Sequence, residues 1–212
     1  TEIYTLSLHD ALPISKNAAQ IPENNKSRLV AGYCWDWISK KDPEAYDITF
    51  PQYDFRMRWN LTKDGSTWII APDSINEIGC IHTCQGLELD YVGVIVGPDL
   101  RFENGRVVTD VAQRSSMDRS ISGIKTMMKE DPQEARQVAD RIIKNTYRTL
   151  LTRGMKGCYV YFCDTALRDH FASRLSPARP ETAADSGETV CPQTASGSDR
   201  KSTRLNSSHR IR

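Results

Sequence analysis

The chain has 212 residues, 39% of them hydrophobic, and its 28 Lys and Arg against 27 Asp and Glu leave a formal charge of +1. Such a chain can bury one sizeable core with residues to spare for a tail. Its near-neutral balance argues neither for nor against a polyanionic partner, so any nucleic-acid site must be a local patch.

No apolar run approaches the roughly 20 residues that cross a bilayer, and no basic-then-apolar leader opens the chain. The six cysteines form no CxxC pair, and several lie in apolar runs where a reduced thiol is a small hydrophobe. A cytoplasmic protein without a membrane partner is expected. Two segments look foreign: "YTLSLHDALPI" near the start and "DRKSTRLNSSH" near the end resemble in-frame translations of sequencing-library adapters. Residues 1–15 and 199–212 are therefore set aside, with the expectation that they pack against nothing. Residues 16–198 are expected to be an internal piece of a longer gene product.

Within that piece, "SRLVAGY" predicts a short apolar strand over Leu29 to Tyr33, followed by an aromatic segment with Trp35 and Trp37. "QYDFRMRWNL" alternates polar and apolar residues as a half-exposed strand does, and "STWIIAP" predicts a further strand stopped by Pro72. "YVGVIVG" is β-branched and unalternating, the pattern of a strand buried on both faces of a parallel sheet. "RFENGRVVTD" predicts a tight hairpin turning at Asn104-Gly105. A polar stretch rich in Arg, Ser, Met and Lys comes next, read as helical and mobile.

From Asp131 to Arg153, apolar residues recur at helical spacing behind an Asp-Pro start, with Gly154 as a stop. The strand "GCYVYFCD" and the helix "TALRDHFASRL", capped by Asp164 or Thr165, complete a pattern of strands alternating with helices that predicts an α/β fold on a mainly parallel sheet. Residues 176–198 are too polar and too rich in Ser, Thr, Pro and Gly to order themselves, and read as a disordered tail.

Two stretches carry chemistry. "IHTCQGLELD" sits at the mouth of the "YVGVIVG" strand, where loops of a parallel sheet meet ligands. Its Gly86 amide is unhindered beside Gln85, with carboxylates at Glu88 and Asp90. In "TYRTLLTRGMKG", Arg153 ends a helix just ahead of a buried strand, a rigid mount for a guanidinium. Each alone has a bland reading, as a solvated turn and as a partner of a helix dipole.

Together and in this order, "GCIHTCQGLELDYVGVIVG" resembles motif V of superfamily 1 helicases and "NTYRTLLTRGMKGCYVYFCD" resembles their motif VI. With "RLVAGYCWDW", "STWII" and "GPDLRF", the stretch from about Arg28 to Phe171 is similar to the Schlafen-like DNA/RNA helicase domain family. That resemblance implies a P-loop NTPase fold, specifically the second RecA-like lobe, over residues 16–175, carrying motifs IV to VI of an ATP-dependent helicase or translocase. It also implies a nucleotide-binding set of Gln85, Gly86 and Glu88, with Arg153 as the catalytic arginine finger. His82 and Thr83 would face the single-stranded nucleic acid. The cofactors implied are ATP and Mg2+, shared with a first lobe, since no G-x-x-x-x-G-K-[ST] occurs in the sequence. The isolated chain is accordingly expected to be inactive.

Gln85 stands where many superfamily 1 members carry Lys, and motif IV has only Arg28 as a nearby basic candidate. No metal site is assigned, since Cys80, His82 and Cys84 lack a fourth ligand. The rival expectation is a noncatalytic nucleic-acid binding or interaction lobe, and a third is a lobe accompanying a nuclease. Trp35, Trp37, Trp59 and Trp68 read as core or as base-stacking platforms, and Arg136, Arg141, Lys144 and Arg148 as a solvated helix face.

Overall fold

A computed structural model describes residues 2–5, 26–60, 68–69, 71–84 and 86–175. Nine strands are present among these residues. Seven form one sheet in the order β1-β9-β6-β2-β5-β4-β3: β1 (Glu2–Thr5), β9 (Gly154–Phe162), β6 (Leu89–Val96), β2 (Ser27–Ala31), β5 (Glu77–Gly79), β4 (Phe55–Trp59) and β3 (Ile48–Phe50). Every neighbouring pair is parallel except β3 with β4. The helices are α1 (Ile81–Cys84), α2 (Ile124–Glu130), α3 (Pro132–Leu151) and α4 (Thr165–Leu175). This is the mainly parallel α/β architecture that the alternation predicts.

Both faces of the sheet are buried. In β2 and β6, Val30, Val92, Val94 and Val96 pack with Ile143, Tyr147 and Leu150 of α3 and Leu167 of α4. The opposite face carries Leu29, Ala31 and Ile95 against Tyr33, Ile48, Phe55 and Trp59. Each strand alternates between the two clusters, and because neither face meets water the sequence shows no alternation.

Local signals account for the flanking elements. Asp131 caps α3 by accepting from the amides of Gln133 and Glu134, with Pro132 in the first turn, which satisfies donors that a helix start leaves open. Asp164 does the same for α4 through the Leu167 amide. β7 (Leu100–Glu103) and β8 (Arg106–Thr109) pair as the predicted hairpin, with Asn104 at φ 51° and Gly105 at φ 76°.

Four expectations are corrected. Trp68 and Ile69 lie in a turn, not a strand; the strand of that region is β5. Trp68 is nevertheless fully buried, its indole N–H donating to Glu77 Oε2 at 3.1 Å, so its apolar neighbourhood signals core without sheet pairing. Within residues 1–15, the described residues 2–5 are not inert: β1 pairs in parallel with β9, and Ile3 packs on the core, while residues 1 and 6–15 lie outside the described residues. The Gly154 stop opens β9, and α3 ends earlier, at Leu151. Residues 176–198 and 199–212 lie outside the described residues.

The fourth correction concerns the polar stretch read as mobile. It contains two single-turn 3-10 helices, then α2, and it is organised around buried charges. Arg114 donates to Asp99 Oδ2 at 2.9 Å and to Asp118 Oδ2 through Nε at 2.8 Å, and all three side chains are excluded from solvent. Burial works against the Arg114 charge, yet Asp118 and Asp99 together hold its pKa above the usual arginine value. Asp99 also accepts from the Tyr147 hydroxyl, which in turn accepts from the Gly97 amide at 2.9 Å. The phenol reaches these groups because residue 32 is glycine; a Cβ there would overlap the Tyr147 oxygen.

Candidate nucleotide and nucleic-acid sites

The loop expected to form one site runs instead from one edge of the sheet to the other. It leaves the carboxyl end of β5 at Cys80 and enters β6 at Leu89. Gly79 pairs with Val30, which pairs with Val94 near the end of β6, whereas Leu89 pairs with Gly154 at the very start of β9. Residues 80–88 therefore travel most of the length of the eight-residue β6, which spans about 25 Å at about 3.3 Å per residue. Only the beginning of the loop lies at the carboxyl ends of the strands; its close lies at the amino ends.

At the amino edge, Gly86 adopts φ 78° with open space around it, and Glu88 is exposed. Arg153 stands beside them. Its Nε donates to Thr149 O at 3.1 Å, capping the last turn of α3, and its Nη1 donates to Leu87 O at 3.3 Å. The Leu89 amide donates back to Arg153 O at 2.9 Å. Two of the three guanidinium nitrogens are thus anchored to backbone, and Nη2 has no hydrogen bond among the described residues. A bulge follows immediately, where the register shifts between Leu89 and Tyr91, with Gly154 filling the tight corner against the Gly157 carbonyl. Bulges of this kind re-aim neighbouring side chains.

These contacts bring the two predicted motifs together at Arg153, Leu87, Gly86 and Glu88. Gln85 lies outside the described residues. Asp90 pairs with Lys156 at 3.3 Å. Cys84, fully buried at the end of α1 within this loop, has its thiol pushed up to about 12 by burial and by Cys80, against the opposing pull of Arg153.

At the carboxyl edge, His82 is exposed and Thr83 half-buried. The Thr83 hydroxyl donates to Asn60 Oδ1 at 2.8 Å, just beyond the end of β4. Both line a cleft of about 780 Å³ whose walls also include Tyr33, Trp37 and Asp118. Sequence reasoning missed Asn60 and Tyr33, whose only signal is that Asn60 directly follows β4 and Tyr33 lies two residues past the end of β2.

The remaining candidates sort by burial. Trp59 and Trp68 belong to the core, whereas Trp35 and Trp37 are half-buried. Arg28 is 1% exposed, donating to Ser74 Oγ at 2.9 Å and to the carbonyl oxygens of Ser27 and Ile69, with its guanidinium over the Trp68 ring. It is a core cation, and its place as the basic candidate for motif IV is withdrawn. Arg136, Arg141, Lys144 and Arg148 are all exposed along α3, with Lys144 paired to Asp140.

A family model for the Schlafen group 3 DNA/RNA helicase domain matches residues 14–164. The chain belongs to that family. The match takes in both edges of the loop and Arg153, and ends at Asp164, the cap of α4. One relative is the uncharacterized protein YPL245W of Saccharomyces cerevisiae, 32% identical over 118 residues, which cover 55% of this chain and 25% of the relative. The matched stretch thus spans about a quarter of the length of that relative. No solved structure matches the chain.

The buried thiols and phenols give this family member a pH signature. Burial holds Cys84, Cys158, Cys163, Tyr33 and Tyr161 neutral, each with a pKa raised to about 12. In the unfolded chain the thiols ionise near 9.0 and the phenols near 10.0. The folded state therefore binds more protons than the unfolded state above these values, so stability present below about pH 9 is lost progressively toward pH 12. Melting temperature should be level between roughly pH 7 and 8.5 and fall steeply above about pH 9.5; a flat profile to about pH 11 would contradict the burial of these groups.

Proposed function

We propose that this chain is the second RecA-like lobe of a cytoplasmic, ATP-dependent superfamily 1 DNA/RNA helicase or translocase. In this reading ATP and Mg2+ bind between the amino edge of this lobe and a first lobe that carries the phosphate-binding loop and the magnesium ligands. The observation that carries it is the anchoring of Arg153: backbone carbonyls hold Nε and Nη1, leaving Nη2 for an anion, beside Gly86, whose Cβ position is open.

Phosphoryl transfer is governed by positioning and charge stabilisation, so a guanidinium on a rigid mount is the part such a lobe contributes. Gln85 and Gly86 would approach the terminal phosphate, and Glu88 the ribose or the network around the phosphate. His82 and Thr83 would meet the single strand at the opposite edge, one short loop away, so that a change at either end is felt at the other.

The isolated chain tests the division of labour. With half of a shared site, it should hydrolyse no ATP above background and should bind single strands weakly, with affinity falling steeply as salt rises. Steady ATP turnover by the purified chain would overturn the two-lobe reading. Salt-insensitive strand binding without any response to ATP in a protein containing both lobes would favour the noncatalytic binding lobe.

A further inference from the structure

The cleft at the carboxyl edge has a construction that the motif residues His82 and Thr83 do not explain. It lies beyond the carboxyl ends of β2, β4 and β5, where Asn60 and Cys80 follow the last strand residues and Tyr33 lies two residues past Ala31. Its inner wall is neutral and hydrogen-bonding. Tyr33 is 7% exposed, its ring stacked on Trp59 at 5.1 Å, and its hydroxyl bonds no described residue. Asn60 spends its side-chain oxygen on the Thr83 hydroxyl, which leaves the amide N–H groups without a partner among the described residues. The Trp37 indole N–H is enclosed and likewise unpartnered.

The mouth is cationic. Lys40 lies 5.5 Å above the Trp37 ring, and Arg119, also lining the cleft, is exposed. The one carboxylate lining the cleft, Asp118, is matched by Arg114 and by the Ser120 amide. An aromatic surface, the Asn60 amide and the Tyr33 hydroxyl, both unmatched among the described residues, and two cations at the rim suit a group that is flat and acceptor-rich inside and anionic outside.

We infer that this cleft holds one nucleotide of the single strand, its base stacked on Trp37 with acceptors toward Tyr33 and Asn60, and its phosphates at Lys40 and Arg119. This rests on the helicase-lobe reading and adds a base preference to it. The Asn60 amide is an obligate donor, whereas the Tyr33 hydroxyl can donate or accept, so bases presenting a carbonyl oxygen to Asn60, uracil or thymine and guanine, are favoured over adenine, whose exocyclic amine is itself a donor. Stacking occurs with any base, so the preference comes from the inner wall and the general affinity from Trp37 and the rim. On binding, Lys40 moves from the ring to the phosphate.

The test is fluorescence anisotropy of short oligo-U, oligo-T and oligo-A strands of equal length with the 212-residue chain at low salt. Oligo-U and oligo-T should bind about fivefold to tenfold tighter than oligo-A, the value of one or two matched hydrogen bonds. Tyr33→Phe removes one hydroxyl without disturbing the ring stack, and it should narrow that ratio while leaving oligo-A binding alone. Trp37→Ala should weaken every strand by about tenfold or more, with Trp37→Phe retaining most of the affinity. Lys40→Ala should weaken all strands alike and reduce the salt slope by about one.

Equal affinity for all homopolymers, or a preference untouched by Tyr33→Phe and Asn60→Ala, would overturn the pocket. So would displacement of the strand by an acidic peptide as effectively as by unlabelled strand. If these variants are silent while strands still stimulate ATP hydrolysis in a protein with both lobes, the pocket falls and the helicase reading stands. If wild-type chain binds no strand at low salt, the pocket falls together with the strand-facing role of His82 and Thr83.

Discussion

Replacing Arg153 by Ala in a protein that joins this lobe to its first lobe is expected to cut strand-stimulated ATP turnover by about 10³ to 10⁵, the range that arginine fingers supply. Nucleotide affinity should change little, because the charge is needed chiefly as the phosphoryl group departs. The geometry sharpens this expectation. Nε and Nη1 already bond the carbonyls of Thr149 and Leu87, so the side chain is held in place before any ligand arrives, and little reorganisation remains to be made during the reaction. Arg153→Lys should fail to restore turnover, since an ammonium cannot both bond the backbone in two directions and present a further planar donor. A purely local role predicts otherwise: loss of a cap to α3 and near-normal turnover, with stability lower by a few tenths of a kcal/mol. Measuring turnover and nucleotide affinity of both variants separates the two.

The second large effect is structural. Arg114→Met should destabilise the fold by about 3–5 kcal/mol, since it leaves Asp99 and Asp118 buried without their counter-charge. For a chain of this size that is a drop in melting temperature of roughly 6–20 °C. Removing the charges together changes the sign of the argument. Adding Asp99→Asn and Asp118→Asn to Arg114→Met should recover much of the loss, because the desolvation cost disappears with the ions. A triple variant no better than the single one would show that the cluster's contribution lies in shape, not charge. Since Asp118 forms a wall of the carboxyl-edge cleft and Asp99 holds Tyr147 of α3, strand binding should weaken in the single variant even below its melting temperature.

How far the sequence revealed these features depends on how local their causes are. The Asn104-Gly105 turn, the Asp131 and Asp164 caps and the unalternating β6 were all legible, because each is decided by a few consecutive residues. Arg28, Arg114 and the turn at Trp68 were not. Arg28 reads as a surface charge until Ser74 and the Ile69 carbonyl are brought to it from more than 40 positions away. Arg114 sits in a stretch whose composition resembles solvated loop, and only folding places Asp99 and Asp118 on either side of it. Trp68 has strand-like neighbours, yet its burial comes from packing against Cys84 and hydrogen bonding to Glu77.

The site was legible in chemistry and not in shape. The resemblance placed Gly86, Glu88 and Arg153 in one set, and Arg153 meets the loop at Leu87, between the other two, at the amino edge. It set His82 and Thr83 apart as facing the strand without showing where, whereas the shortness of β5 sends the loop along most of β6, so that one motif reaches both edges. Nothing in the local pattern reports where a strand of three residues ends relative to its neighbours.

The central claim is that this lobe completes an ATP site opened by strand binding at its other edge. The most direct measurement is the rate of ATP hydrolysis by a protein containing both lobes, with and without saturating single strand. The account predicts turnover that rises strongly with the strand and is abolished by Arg153→Ala without loss of strand binding. Turnover indifferent to the strand, or undiminished in Arg153→Ala, would contradict it.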